Sequence, residues 1–340
     1  MDETPPQRRA ESRATLADVA RAAGVSIATA SKALNKRTHV KDETRRRVER
    51  AAESLDFRPN FFAQALNSSR TNSIGMLTSD LDNRFVLPIL LGAEDAFGAG
   101  SLSVLLADAR DDVMREQLHI TTLLTRKIDG LLVVGRTTNP RPPVSVAADV
   151  PVVYVYAPSL DPADTSFTPD NVMAGRLAAR RLIDGGRRSI ALVNGQSHYT
   201  AAQDRARGAA AELAAHGLEL VGGDRLHGPW GERWGRDCTR LLVSAHPEID
   251  AVIAGSDHIA RGVLDTLRVI GKRVPEDVAV VGFDNWDILV LESEPPLTSI
   301  DMNLQHLGRV AAQELVEAIE GTTTPGLHQE PVNLVVRESA

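Results

Sequence analysis

From residue 72 onward, short apolar runs alternate with stretches of helical periodicity, and few architectures satisfy that alternation. Candidate strands are Ile74–Leu77, Leu102–Leu106, Leu131–Val134, Val152–Val155, Ile190–Val193, Ala251–Ala254 and Val278–Val281. Candidate helices between them include Val86–Ala99, Met114–Thr125, Ala174–Asp184 and Ala201–His216. Such alternation implies parallel sheets with helices on both faces. The 340 residues suffice for two doubly wound α/β lobes and a smaller head.

The head differs from the body in charge. Formal net charge is −7 for the whole chain, which taken alone disfavours nucleic acid. Residues 1–70, however, carry 14 Lys/Arg and 9 Asp/Glu, net +5, and residues 71–340 carry 24 and 36, net −12. From Arg8 to Arg70 the balance is 14 basic to 7 acidic. A basic head on an acidic body suggests a polyanion-binding module joined to a separate function.

The single cysteine, Cys238, excludes an intrachain disulfide. Residues 1–14 are polar with two prolines, lack the apolar core of a signal peptide, and read as a disordered tail. No apolar run approaches the roughly 18 residues of a membrane helix. A cytoplasmic, nucleoid-associated protein without membrane attachment is expected.

Residues 15–55 read as three helices. Thr15 with Asp18 fits a capping box, and Leu16, Val19, Ala20 and Ala23 form one apolar face. Gly24 can stop that helix, because it tolerates positive φ. Ser26 can cap a second helix, Ile27 to Leu34. Val40 and Asp42 introduce a third, with Val48, Ala51 and Leu55 on one side. Two short helices joined by a tight Gly-containing turn form a helix-turn-helix outline. Its second helix would enter the major groove by its N-terminal end. Ile27 and Ala28 then offer apolar surface to thymine methyls, and Lys32 can donate to guanine. Thr15, Ser26, Thr29, Ser31 and Thr38 suit phosphate oxygens. A small helical bundle without nucleic acid is the competing reading.

Arg58-Pro59-Asn60 breaks the third helix, and Phe61 to Leu66 could form about two turns after it. So short a helix is not stable alone in water and needs another surface.

The runs TLADVARAAGVSIATASKALN, RPNFFAQAL and TNSIGMLTSDLDNRF resemble the lactose-repressor (LacI) family of bacterial transcription regulators. The resemblance continues through Asp129-Gly130, Pro151-Val152-Val153, Asp170-Asn171 with Gly175, Ser256-Asp257 and Val274-Pro275. It runs on through Gly282-Phe283-Asp284, Pro296 to Ile300, and Leu334 to Ser339. It implies a helix-turn-helix domain over 15–56, a hinge over 57–71, and a two-lobed sensor like periplasmic sugar-binding proteins. The implied lobes are 72–169 with 301–327 and 170–300 with 328–340. It also implies that the hinge helix folds on DNA and pairs with its twin in a homodimer. Leu66 would wedge into the minor groove, with Ala63 on the pairing face and Asn67 beside it. An apolar wedge accepts an unstacking cost in return for bent DNA. Asn67 stands where the family often has a basic residue, and Lys41 where a serine cap is usual.

Ligands of such folds bind at the carboxyl ends of the strands. The resemblance implies effector contacts from Arg205 in Arg-x-x-Gly, from Asp284, and from Trp230 stacking on the ligand. Asp80, Asp82, Asn83 and Phe85 follow the first strand, and Asp170 and Asn171 complete a polar ring. Tyr156-Ala157 stands where many relatives carry Asp-Arg or similar. Carboxylates, a guanidinium and an aromatic face suit a polyol, although purine sites use the same fold. The competing readings are a cap of the following helix for Asp170 and a turn-shaping role for Asp284.

The chain lacks His-Glu-x-x-His, Gly-x-Ser-x-Gly, a Walker loop and Cys-x-x-Cys, and its histidines do not cluster at metal spacing. No catalytic site, metal or cofactor is expected. A carbohydrate-binding or transport protein, or an enzyme acting on a sugar or nucleoside, are the alternatives. The reading favoured is a ligand-responsive repressor that binds a pseudo-palindromic operator as a homodimer, with a carbohydrate effector. The chain carries no leucine heptad after Arg337-Glu338-Ser339, so a dimer rather than a tetramer is expected.

Overall fold

A computed structural model of the chain describes residues 14–34, 40–57, 70–82, 84–98, 102–147, 149–223 and 225–340. The chain divides into two compact units, 1–71 and 72–340. The first holds helices α1 (Leu16–Ala22), α2 (Ile27–Leu34) and α3 (Asp42–Ser54). The Thr15–Asp18 capping box forms. The Thr15 Oγ accepts from the Asp18 N–H at 3.3 Å, and the Asp18 carboxylate accepts from the Thr15 N–H at 2.9 Å. Gly24 sits at φ +63, and the Ser26 Oγ caps α2 by accepting from the Thr29 N–H at 3.1 Å. Val19, Ala20, Ala23, Ala30, Ala33 and Val48 share one small core. The buried face of α3 differs from expectation by one position. Ala52 lies inside with Ala51, whereas Leu55 has become the exposed C-cap residue. Lys41 precedes α3 without a side-chain cap. Thr38, Ala63, Leu66 and Asn67 lie outside the described residues.

In the second unit, apolar runs become strands. These are β1 (Ser73–Thr78), β2 (Ser103–Asp108), β3 (Gly130–Val134), β4 (Val152–Val155), β5 (Thr165–Pro169) and β6 (Ile190–Val193). They continue as β7 (Ala251–Ala254), β8 (Ala279–Phe283), β9 (Thr298–Asp301), β10 (Gly326–Glu330) and β11 (Asn333–Val335). One six-stranded sheet runs β10-β5-β4-β3-β1-β2 and is parallel throughout. The other runs β11-β9-β8-β7-β6, parallel except for the antiparallel β11. The helices are α4 (Val86–Phe97), α5 (Val113–Thr125), α6 (Asn171–Asp184), α7 (Thr200–Ala215) and α8 (Glu232–Ala245), then α9 (Asp257–Val269), α10 (Asp287–Val290) and α11 (Leu304–Ile319).

Successive strand residues point to opposite faces, so each doubly wound sheet needs two cores. In the second sheet Ile190, Leu192 and Ile253 pack on α6 and α7. Their neighbours Ala191, Val193 and Val252 pack on α8 and α9. In the first sheet Ile74, Met76 and Leu132 pack on α4 and α11, whereas Leu77, Leu131 and Val133 pack on α5. The last crossing between sheets, expected near 328, comes after Glu330, because β10 stays paired with β5 to its final residue. Among the described residues, no helix is long and apolar enough to cross a membrane.

Candidate functional site

The carboxyl ends of strands from both sheets converge on a cavity of about 200 Å³. Arg84 and Phe85 enter from the turn between β1 and α4, Arg136 to Thr138 from the segment after β3, and Tyr156 from the end of β4. Tyr199, Ala201 and Arg205 enter around the start of α7, Trp230 before α8, and Asp284 after β8. Tyr156 and Asp284 have positive φ, +73 and +99. For such residues this backbone is unfavourable and clusters at functional positions.

Arg205 is 3% exposed, and its guanidinium is held on several sides. Its Nε donates to Asn171 Oδ1 at 2.9 Å and its Nη1 to the Gly255 carbonyl at 2.6 Å. Its Nη2 stands 3.6 Å from the Asp284 carboxylate. Rings of Phe283 and Trp230 flank it at 4.6 and 5.9 Å. The crossing of α6 and α7 places it there. A Cβ on Gly208 would lie 2.0 Å from the Val172 carbonyl oxygen, and one on Gly175 would lie 2.1 Å from that of Arg205. Only glycine permits that approach, which explains physically why Arg-x-x-Gly needs its glycine.

Arg84 donates through Nη2 to the other oxygen of Asp284. Its guanidinium lies 4.6 Å from the Phe85 ring and 5.2 Å from that of Trp286. Phe85 and Tyr156 meet at 5.0 Å. Arg136 hydrogen-bonds Tyr199 and pairs with Asp111 at 2.9 Å. Burial, and then the Asp284 carboxylate, push the Tyr156 phenol above its usual range, so it remains a neutral donor. Behind the cavity the fully buried Asp257 accepts from Ser299 Oγ at 2.6 Å and from the Trp286 N–H at 2.9 Å. Burial first, then Asp284, raise its acid to about 7.

Among the described residues, four buried polar atoms on cavity-lining residues have no hydrogen-bond partner: Arg84 Nε, Thr138 Oγ1, Trp230 Nε1 and Asp284 Oδ1. Buried polar atoms are normally satisfied, so a concentration of exceptions in one cavity marks a place prepared for ligand. The arrangement offers aromatic walls, several donors and one carboxylate acceptor.

Of the residues expected at an effector site, Phe85, Tyr156, Arg205, Trp230 and Asp284 line this cavity. Asn171 is buried one layer out, where it orients Arg205 and donates to the Pro169 carbonyl. Asp170 does not line the cavity. Its carboxylate caps α6 by accepting from the Met173 N–H at 2.8 Å. Asp82 is exposed on the turn after β1, and Asn83 lies outside the described residues. Arg84, Arg136, Thr137, Thr138, Tyr199 and Ala201 were not anticipated. Their signal was available: Arg84 adjoins Phe85, and 136–138 follow the apolar run ending at Val134.

In the head, Ile27, Ala28 and Lys32 are exposed on α2, with Ala28 and Lys32 one turn apart on the same face. Thr29 and Ser31 are half-buried on the same helix. The Thr15 and Ser26 hydroxyls are engaged in caps.

Residues 15–60 match the family of bacterial regulatory proteins of the lacI type, and residues 179–340 match a periplasmic binding protein-like domain. The HTH-type transcriptional regulator CelR of Thermobifida fusca is 35% identical over 333 residues, covering 95% of this chain and 96% of that protein. A solved complex of transcriptional regulator CelR with cellobiose is 31% identical with a TM-score of 0.66, covering 96% of this chain and all of the other (100%). The lac repressor dimer bound to operator and the anti-inducer ONPF is 25% identical with a TM-score of 0.76, covering 96% and 98%. With helix-turn-helix, paired parallel sheets and near full-length similarity in agreement, this chain belongs to the lacI family, whose members are transcription regulators rather than enzymes.

Proposed function

We propose that this regulator is a repressor that binds a pseudo-palindromic operator as a homodimer, and that a small polyhydroxylated ligand, a carbohydrate, sets its operator affinity from the cavity. The observation that carries the ligand part is the buried Arg205–Asp284 pair, set among aromatic rings with unpartnered polar atoms around it. Guanidinium and carboxylate groups bridge hydroxyls, and the Trp230 indole can cover the apolar face of a ring. A volume of about 200 Å³ is below the roughly 300–1,000 Å³ of pockets for drug-sized ligands, so one ring fits better than two.

For DNA, α2 supplies Ile27, Ala28 and Lys32 to base edges, and Thr15, Ser26, Thr29, Ser31 and Thr38 to the backbone. Ala63, Leu66 and Asn67 supply the minor-groove segment. A two-fold dimer suits a palindromic site. Exposed apolar side chains on α5 support self-association: Met114 is 78% and Leu118 64% exposed, one turn apart, beside the exposed Val113. The regulator acts in the cytoplasm on chromosomal DNA. Ligand changes operator affinity only if it binds the two lobe arrangements unequally.

The test is a thermal-shift screen of the full chain against monosaccharides, disaccharides, polyols and nucleobases. Any binder stabilises the folded state by mass action and is then added to an operator titration. Stabilisation by nucleobases alone would replace the carbohydrate reading with a purine one.

A further inference from the structure

We infer that the effector is an anionic monosaccharide derivative, a single polyhydroxylated unit bearing one carboxylate or phosphate. This rests on the reading of the cavity as the effector site. Charge in the cavity points to this class. Arg84 and Arg205 share one carboxylate, Asp284. Arg136 is balanced at the rim by Asp111 at 2.9 Å and Asp80 at 3.8 Å. Asp257 does not line the cavity, and both of its oxygens are already used by Ser299 and the Trp286 N–H. Its pKa, raised by burial and by Asp284 to about 7, also means that it does not supply a full negative charge at neutral pH. Two guanidinium groups around one carboxylate leave a positive excess inside a largely buried site, and an unbalanced buried charge is costly.

The cavity atoms that lack a hydrogen bond point the same way. Arg84 Nε and Trp230 Nε1 can only donate, the Thr138 hydroxyl can donate or accept, and Asp284 Oδ1 is the sole obligate acceptor. A neutral sugar hydroxyl can accept from these donors. An anionic oxygen forms shorter and stronger bonds with them. Asp284 Oδ1 and the Phe85, Tyr156 and Trp230 walls still require hydroxyls and an apolar ring face, which excludes a bare anion. Thus one end of the ligand meets Arg84 and Arg205, and the hydroxylated remainder meets Asp284 and the rings.

The experiment is calorimetry on the full chain with glucose and galactose, then gluconate, glucuronate, galacturonate and glucose 6-phosphate, with inorganic phosphate alone as a further arm. The expected result is that at least one anionic sugar binds ten times or more tightly than its neutral parent and weakens as salt is raised. Arg84→Gln should collapse that ratio toward one, while Arg84→Lys should keep part of it. The carboxylate and phosphate arms separate the two headgroups, and the salt response of the unmodified protein stands even if a variant folds poorly. A neutral sugar that binds as tightly as its acid overturns the anionic class and leaves the carbohydrate reading intact. Inorganic phosphate binding as tightly as glucose 6-phosphate overturns the requirement for the sugar. Binding by no sugar, neutral or anionic, overturns both readings.

Discussion

Arg84 and Asp284 form an ion pair from residues 200 positions apart, one following a strand of the first sheet and the other a strand of the second. Asp284 also faces Arg205 on its own lobe, so one carboxylate serves both walls of the cavity. Removing it leaves two guanidinium groups without their shared partner. Breaking a buried pair by deleting one member typically costs about 3–5 kcal/mol, mostly from the stranded charge. Asp284→Ala should therefore lower the sensor's unfolding free energy by at least about 2 kcal/mol and abolish effector binding. Urea unfolding beside calorimetry checks both, and an Asp284→Ala/Arg84→Ala double-mutant cycle should recover part of the stability loss.

Gly208 tests whether helix crossing positions Arg205. Alanine normally favours an exposed helix over glycine by about 1 kcal/mol. Here the added Cβ would meet the Val172 carbonyl at 2.0 Å, and neither backbone can yield cheaply. Gly208→Ala should destabilise by roughly 1–3 kcal/mol and weaken effector binding, because α7 must move away from Asn171. Thermal unfolding and calorimetry decide it.

The buried Asp257 predicts a pH dependence. Its acid is raised from an ordinary value near 4 to about 7, by burial first and by Asp284 second. Below about pH 4 the carboxyl is protonated in both states, and its stabilising contribution is fully present. Between about 4 and 7 the folded state holds a proton that the unfolded state has released, so that contribution falls as pH rises and is lost above about 7. Asp257→Asn should flatten the decline between pH 5 and pH 8. Denaturant unfolding at both pH values, compared between the two proteins, measures the difference.

On α5, Leu118→Glu places a charge on the exposed apolar patch with Val113 and Met114. Because this side chain is exposed, fold stability should change by less than about 0.5 kcal/mol. If the patch joins two protomers, sedimentation should shift from dimer toward monomer and operator affinity should fall with it. An unchanged dimer moves the interface elsewhere.

In the head, Lys32→Ala separates two modes of DNA contact. A lost base contact costs about 1–3 kcal/mol and relaxes preference at one base pair, whereas a lost phosphate contact weakens all sequences alike and reduces the salt slope by about one. The first pattern is expected, read by anisotropy against operator variants.

Much of the fold was legible because apolar runs and strands coincide. Val152–Val155, Ile190–Val193 and Ala251–Ala254 are strands with the boundaries their hydropathy suggests. The strand Thr165–Pro169 was not legible. It is fully buried between neighbours, yet it is mostly polar, and its side chains are satisfied inside: the Thr165 Oγ1 donates to the Thr324 carbonyl, and Ser166 Oγ accepts from the Ser159 N–H. Periodicity sees hydrophobicity, not satisfied burial. At the site, Arg205 was legible through its glycine spacing, whereas Asp170 could not be separated from a helix cap, since both roles want a carboxylate before a helix. The Arg84–Asp284 pairing was invisible because only the meeting of two sheets brings those residues together.

On the function proposed, occupancy of the Arg205–Asp284 cavity sets operator affinity. The direct measurement is an anisotropy titration of the full chain on an operator selected from a palindromic library, with and without the best cavity binder, repeated with Arg205→Ala. Ligand should shift the wild-type dissociation constant by about 5–150-fold and leave the Arg205→Ala constant unchanged. Saturation of the cavity with no change in wild-type operator affinity would contradict it.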